Sequence, residues 1–375
     1  MPDRLTGIRQ ILADAPADAL VERFAEELDK QYGIADTNLL QVDYRLSALL
    51  SLRDGAARTA PGDPAWRCFD HQAEVVQEDV TYLPVTMRGE RIGVLRLAPV
   101  GDDPQLRHEL AGAATLLAHE LAAVRPGTDR YAVAARTRPL TLAAEMQWEL
   151  LPGRSHEGPS FSLAGQLEPA YAVRGDGFDW ADDGDRLWLC VVNGSGEGVN
   201  ASMLTSLAIN ALRNARRGGL ELADQAALAD QAIYAYHGGS QHLAALLLQL
   251  DLHTGRATVV DAGSPRLMLL RGGEVIEQPL TEQFPLGMFD GTIYQPQHFD
   301  LRPSDRLLLV SDGVYDAAAS AGRYGGGALD RFVRRIPSMA PLEVVRSLLG
   351  DLRAFVGSDL VDDAVVVCLD WTGPA

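Results

Sequence analysis

The spacing of apolar residues changes character along the chain, from helical and alternating in the first third to near-continuous runs beyond it. In PADALVERFAEELDKQYG, Leu20, Phe24, Leu28 and Tyr32 recur every four residues and Gly33 supplies a stop, which predicts an amphipathic helix. In NLLQVDYRLSALLSL, Leu40, Val42, Tyr44 and Leu46 alternate with Gln41, Asp43 and Arg45, the pattern of a half-buried strand pair. TYLPVTM and RIGVLRLA predict two further strands joined by RGE. QLRHELAGAATLLAHELAAV, with Leu106, Leu110, Leu117 and Leu121 on one face, predicts a closing helix. Together these elements predict an α+β domain.

The stretch RPGTDRYAVAARTRP, with Pro126, Gly127 and Pro139, marks a boundary, and LTLAAEMQWELLP predicts a helix that ends at Pro152. Two helices flanking a joint could form a lever or a dimer seam, or simply connect; the heptads are too few for a coiled coil. From about residue 160 the chain is strand-rich, with FSLAGQLEPA, RLWLCVV, LAALLLQLDL, ATVVDAG, RLMLLRGG, RLLLVSDG and AVVVCLD, broken by the helix VNASMLTSLAINALRNARR. Such continuous apolar strands belong in sheets covered on both faces. The turn DLHTGRA, with Thr254 and Gly255, predicts a hairpin, hence antiparallel pairing and not a doubly wound parallel sheet.

The composition agrees with two domains, since 375 residues that are 47% hydrophobic can fill two cores. The 33 Lys and Arg against 51 Asp and Glu give a net charge of -18, which repels nucleic-acid phosphates and anionic lipid. Neither nucleic acid nor a membrane is therefore an expected partner, and no apolar run approaches a membrane span. Cys68, Cys190 and Cys368 read as reduced thiols, so the expected location is cytoplasmic. Cys68 and His71 lack the further ligands of a metal or haem site.

Two patterns carry candidate chemistry. VVNGSGEGVNAS runs from a strand through Gly194, Gly196 and Gly198 into a helix, but GxGxG is not the GxGxxG spacing of a dinucleotide cradle, and no Walker lysine follows. The second pattern is a set of aspartates at strand ends: Asp176 in RGDGFDW, Asp312 in LLLVSDGVYDA, and Asp362 and Asp363 in VDDAVVVCLD. Taken singly, each Asp beside Gly or Asp is an ordinary turn residue. Taken together they suit hard divalent cations, which take oxygen ligands, and a pair of such ions can activate water and hold a phosphoryl group.

In chain order these segments resemble a known family. EMQWELLP is similar to its A/I-Q-x-x-LLP helix, EPAYAVRGDGFDW to P-A-x-x-V-G-G-D-x-x-D, and VVNGSGEGVNAS to D-V-S-G-H-G-x-x-A-A. VVDAGSPRLMLLRGGEV resembles its A-G-H-x-P stretch, FPLGMF its P-L-G, SDGVYDA its S-D-G-V-x-E-A, and DDAVVVCLD its final D-D-x-T strand. This is the PPM-type metal-dependent serine/threonine phosphatase family, in its bacterial SpoIIE-like branch, and the resemblance covers about residues 140 to 370. It implies an αββα sandwich of two antiparallel sheets flanked by helices, with two Mn²⁺ or Mg²⁺ ions at one edge. The first segment looks like a GAF domain. The expected organisation is a GAF-like sensory domain over 1–125, a linker and switch helix over 126–152, and a phosphatase domain over 153–375.

Carried over position by position, the resemblance implies that Asp176 holds the second metal, while Asp312 and Asp362 hold the first, with Asp363 the alternative to Asp362. The aspartate that bridges both metals falls on Asn193, and the carbonyl of Gly194 completes that corner. Glu197 and Ser264 replace two histidines of the pattern. Glu197 could return the charge lost at Asn193, or simply favour a helix N-terminus. The resemblance implies hydrolysis of phosphoserine or phosphothreonine on a regulatory partner such as an anti-sigma-factor antagonist, controlled through the GAF-like segment, with a homodimer through that segment and the linker helix. The alternative is a weak or inactive pseudophosphatase that binds a phosphoprotein, and Asn193 favours it.

Overall fold

The structure is a computed structural model that describes residues 4–60, 62–170, 173–276, 278–320, 322–336, 338–357 and 360–374. Tyr171 and Ala172, within the stretch matched to P-A-x-x-V, lie outside the described residues. The chain divides into two compact units, Met1–Pro139 and Leu140–Ala375. The linker expected over 126–152 is thus shared between them. Tyr131 is buried in the first unit, where its hydroxyl donates to the Ala17 carbonyl at 3.0 Å, whereas the helix Leu142–Leu150 belongs to the second.

The first unit is a six-stranded antiparallel sheet in the order Ala57–Arg58, Leu49–Ser51, Asp36–Val42, Glu90–Ala98, Val80–Met87, Val75–Gln77. Phe24 and Leu28 of the helix Leu20–Tyr32, and Leu110, Leu117 and Leu121 of the helix Pro104–Val124, pack on Leu39, Leu83, Val85 and Leu95 of the sheet. The expected strand pair over 38–52 forms, but Tyr44 and Leu46 of the alternating pattern lie in its turn. There the Asp43 carboxylate accepts the backbone N–H groups of Ser47 and Ala48 at 2.7 and 2.9 Å, which stops the strand, as a side chain that competes for backbone donors does.

In the second unit two antiparallel sheets pack face to face. One has the order Gln297–Asp300, Arg256–Ala262, Leu243–Asp251, Arg186–Gly194, Gly177–Asp182. The other has the order Glu274–Ile276, Arg266–Arg271, Asp305–Val310, Ala364–Trp371, Phe161–Glu168, Ser155–Gly158. Phe178, Leu189, Val191, Leu248, Leu307, Val367 and Leu369 fill the space between them. Residues on the opposite face, Cys190, Val192, Leu247 and Val260, pack under the helices Gly198–Arg217 and Leu222–His237. The helix Pro341–Val356 covers the other sheet at Phe161–Glu168 and Ala364–Trp371. Continuous apolar strands are therefore covered on both faces, as their composition requires. The hairpin at 251–257 is present, with Gly255 at φ 76°.

Among the described residues, the helices of eight residues or more with no counterpart in the sequence reading are Arg4–Asp14, Pro64–His71, Leu222–His237 and Pro341–Val356. In Leu222–His237 the buried face is Leu222, Gln225, Ala226, Ala229, Asp230 and Ile233, so alanine carries half of its apolar positions and the contrast with the polar face is low.

The helix Leu142–Leu150 buries Ala143, Ala144 and Gln147 within the second unit. A fragment starting at Leu140 is expected to melt in one cooperative transition, and one starting at Gly153 to melt lower by roughly 5–10 °C, the scale of a few lost buried contacts and hydrogen bonds. Calorimetry of the two fragments checks this, and equal melting temperatures would contradict it.

Candidate metal centre

Every aspartate singled out in the sequence lies at a strand end on one edge of the sandwich. Asp176 precedes the strand Gly177–Asp182, Asn193 stands at the end of Arg186–Gly194, Asp312 opens the short helix Asp312–Tyr315 after Asp305–Val310, and Asp362 and Asp363 precede Ala364–Trp371. Strands of both sheets thus deliver side chains to the same place. Ser311 fastens two of them, accepting the Val365 N–H on its hydroxyl at 2.9 Å and donating its own N–H to the Val365 carbonyl at 3.1 Å.

The carboxylates play different parts. Asp176 is fully buried and neither of its oxygens has a partner in hydrogen-bond geometry, although the nearby Ser311 hydroxyl lowers its proton affinity. Burial, reinforced by the charge of Asp363 and then of Asp312 and Asp362, pushes its carboxyl far above the ordinary range. Asp362 is half-buried, and burial followed by the neighbouring Asp312 pushes it up to about 6. Asp312 keeps one oxygen without a partner. Asp363, also fully buried, is different: its Oδ1 accepts the Ala170 N–H at 2.8 Å, and its Oδ2 accepts the N–H groups of Arg174, Gly175 and Asp176 at 2.8, 2.9 and 3.4 Å. The Gln147 side-chain amide adds a fifth bond to the carboxylate, to Oδ2 at 2.9 Å, and also donates to the Asp176 carbonyl at 2.9 Å. The oxygens of Asp363 are spent on the backbone that presents Asp176, so the geometry gives it a positioning part and leaves Asp362 as the carboxylate open to a ligand.

Two glycines make this closeness sterically feasible. A Cβ on Gly313 would stand 1.8 Å from the Asp363 carbonyl oxygen, and one on Gly194 would stand 2.7 Å from that of Gly175. The second contact seats the Asn193 turn directly on the Asp176 segment. No nucleotide cradle is built there: the turn closes on protein backbone.

Four of the positions that depart from the family pattern meet in two pairs. Asn193 donates from Nδ2 to Ser264 Oγ at 2.8 Å, and Ser264 Oγ donates to Asp312 Oδ2 at 3.4 Å. Ser264 is held there by its carbonyl, which accepts the Tyr315 hydroxyl at 2.8 Å. Glu197 immediately precedes the helix Gly198–Arg217 and makes no capping hydrogen bond. It stands at the helix N-terminus as one of the two readings had it, and its carboxylate pairs with Arg174 at 3.1 Å, a contact the sequence did not foresee. Arg174 was missed in the sequence, although it stands where the pattern has the first Gly of G-G-D; Gln147 and Ser311 were quoted within motifs without a part assigned.

The donor set suits a hard cation. Unpartnered buried carboxylate oxygens with raised proton affinity lack a positive charge, and a divalent ion supplies one. Among the described residues no three His, Cys, Asp or Glu side chains close around a single cation position. Asp176, Asp312 and Asp362 form an electrostatic cluster, not a finished shell. Magnesium and manganese, which retain several waters, tolerate such an open set.

The family model for stage II sporulation protein E (SpoIIE) matches residues 183–372. No curated protein matches the chain. Three of the solved structures similar to it illustrate the likeness. The RsbU and RsbW domains of Rv1364c from Mycobacterium tuberculosis are 24% identical, with 58% of this chain and 63% of that one covered and a TM-score of 0.50. The SiaA-PP2C domain of Pseudomonas aeruginosa is 20% identical, with 56% and 85% covered and a TM-score of 0.50. The PP2C phosphatase domain of SpoIIE from Bacillus subtilis, with a fragment of its regulatory domain, is 12% identical, with 99% and 95% covered and a TM-score of 0.51. What these three share with the chain at such identities is the fold, and the match spans less than two thirds of the first of them. Among the described residues no helix is long and apolar enough to cross a membrane.

The raised carboxyls carry a sign. A group whose folded pKa lies above its unfolded value contributes stability at pH below the unfolded value and loses it as pH rises through the folded one. For Asp362 that window runs from the ordinary carboxylate value of 3.8 to about 6. Metal-free protein is therefore expected to lose stability as pH rises from about 4 to 6. Asp176→Asn, which cannot ionise, is expected to melt a few degrees higher than the native chain at pH 7 in chelator and to lose part of the stabilisation by added Mn²⁺. Melting curves across pH with and without metal check both, and an Asp176→Asn melting temperature below native in chelator would contradict the electrostatic reading.

Proposed function

Since the chain belongs to the SpoIIE family, we propose that it is a metal-dependent protein phosphatase that hydrolyses phosphoserine or phosphothreonine on a regulatory partner protein. The observation that carries this reading is the Asp176 carboxylate, wholly buried with both oxygens unpartnered, facing the charges of Asp312 and Asp362. Asp312 and Asp362 would hold one Mn²⁺ or Mg²⁺, Asp176 a second, and the Asn193 side-chain oxygen with the Gly194 carbonyl the corner between them. When bound, such ions lower the pKa of water and offset the charge of a phosphoryl group.

The chain's own residues prepare that chemistry. Asp363 fixes the backbone of Arg174, Gly175 and Asp176, so the Asp176 oxygens need no reorganisation to meet a cation. Ser264 ties Asn193 to Asp312 through its hydroxyl. A covalent phosphoenzyme through cysteine is disfavoured, because all three thiols are buried and burial pushes Cys68 and Cys190 up to about 12 and Cys368 upward as well. Direct attack by water is the consistent route.

Asn193 favours a second reading, in which the fold binds a phosphoprotein without turnover. An amide can ligate a hard cation but leaves one negative charge fewer among the cations. Manganese-dependent hydrolysis of an aryl phosphate separates the readings. The native chain is expected to turn over slowly, Asp312→Ala to fall to background, and Asn193→Asp to gain roughly tenfold or more, the scale of one charge-assisted ligand. Activity in Asn193→Asp with none in the native chain would instead establish the binding reading.

The first unit is proposed to be a GAF-like sensory module, with the chain dimerising through it and the partner an anti-sigma-factor antagonist. Gln147 supports a regulatory part for its helix, because its amide bonds both the Asp176 carbonyl and Asp363. The fragment 140–375 is expected to differ in turnover from the full chain, and identical rates at identical oligomeric state would remove the regulatory part.

A further inference from the structure

We propose that Arg174 recognises the phosphoryl group of the substrate, and that Glu197 occupies its guanidinium until that group arrives. The inference rests on the phosphatase reading for the identity of the substrate but not for the binding itself. Arg174 lies two residues before Asp176, and its positive charge acts on Asp362, so the guanidinium is within electrostatic reach of the candidate metal edge. Its backbone is fixed on every side. The Arg174 N–H donates to Asp363 at 2.8 Å, the Val173 carbonyl accepts the Gly198 N–H at 2.7 Å, and the Gly175 carbonyl accepts the Thr205 hydroxyl. The Gly198 contact stitches the segment of Arg174 to the turn of Glu197, so the pair is dictated by the backbone.

The side chains are less committed than the backbone. Arg174 Nε is shielded and has no hydrogen-bond partner, while the ion pair to Glu197 runs through one terminal nitrogen. The Glu197 side chain is 62% exposed. An ion pair with so exposed a partner contributes little, whereas a phosphoryl dianion offers two oxygens and twice the charge to a fork of parallel donors. The exchange is therefore favourable in the direction of the phosphoryl group. The surroundings also call for it, since a chain of net charge -18 with three carboxylates at the site repels an incoming phosphate unless a cation meets it.

Glu197 then sets the threshold. A phosphoryl group must displace it, which penalises weakly bound anions and leaves a carboxylate to repel phosphate product. Arg174 and Glu197 are paired departures from the family pattern, and a pair that acts as one device accounts for their joint presence.

The test is binding of inorganic phosphate to the full-length chain by calorimetry, in native protein, Arg174→Ala, Arg174→Lys, Glu197→Gln and the double variant Arg174→Ala with Glu197→Gln. Arg174→Ala is expected to weaken phosphate about tenfold or more, the scale of a charge-assisted bidentate contact, with Arg174→Lys between it and native. Glu197→Gln is expected to tighten phosphate severalfold, and the double variant to bind like Arg174→Ala alone. With an aryl phosphate, Arg174→Ala is expected to raise KM more than it lowers kcat. Phosphate binding that is absent in the native chain, or indifferent to Arg174, overturns the proposal. So does a Glu197→Gln variant that only melts lower and binds phosphate as before, because the pair is then a structural pin. If the native chain binds phosphate through Arg174 yet never turns over, the catalytic reading falls and this one stands. If it turns over with phosphate binding indifferent to Arg174, the reverse holds.

Discussion

The buried carboxylate of Asp363 is the interaction on which the site depends. It immediately precedes the strand Ala364–Trp371 of one sheet, and it gathers the backbone N–H groups of Ala170, Arg174, Gly175 and Asp176, which lead into a strand of the other sheet. A charge that accepts five hydrogen bonds can be buried without the penalty that an unpaired one incurs. The bonds hold the Asp176 backbone in place, and Asp176 can then be buried with its own oxygens unsatisfied. One fully satisfied carboxylate makes it possible to hold a neighbouring one that is not. The two belong to a division of labour within the same few residues.

Four of the departures from the family pattern are arranged in two pairs. Asn193 and Ser264 form one, Arg174 and Glu197 the other. In charge, Asn for Asp removes one negative, Arg for Gly adds one positive, and Glu for His adds one negative. The amide of Asn193 finds a hydroxyl and not a cation at its nitrogen, while the added Arg and Glu meet each other. Isolated loss of function in a site leaves unmatched groups, and each such group in a buried setting is costly. Here Asn193 meets Ser264 and Arg174 meets Glu197, while Ser264 also reaches the unchanged Asp312 and Tyr315.

Much of the fold was legible because the apolar runs from residue 160 onward can only be strands covered on both faces, and the hairpin at Thr254 and Gly255 excludes parallel pairing. The candidate carboxylates were legible because they stand beside Gly or Asp at the ends of those runs. Their division of labour was not, since Asp362 and Asp363 are adjacent in sequence and only the fold shows which one faces backbone donors. Arg174 and Gln147 were illegible as site residues for a related reason: each acts across a long sequence separation, Gln147 on Asp363 and Arg174 on Glu197. The helix Leu222–His237 was hidden by alanines, which pack well but contrast weakly. Leu46, placed by alternation in a strand, sits at φ 53° in a turn because the neighbouring Asp43 captures the backbone N–H groups that a strand would need.

Gln147 gives the arrangement a thermodynamic consequence. Its single amide nitrogen donates to the Asp176 carbonyl and to Asp363, so the helix Leu142–Leu150 is bonded to both the satisfied and the unsatisfied carboxylate segments. A cation that meets the Asp176 oxygens stabilises the segment in this geometry, and so strengthens whatever holds Gln147 in place. By linkage the converse must hold, and any influence that withdraws the helix weakens the cation by the same free energy. The size of that coupling is bounded by what the two bonds contribute, about 1–3 kcal/mol, or roughly a 5- to 150-fold change in affinity.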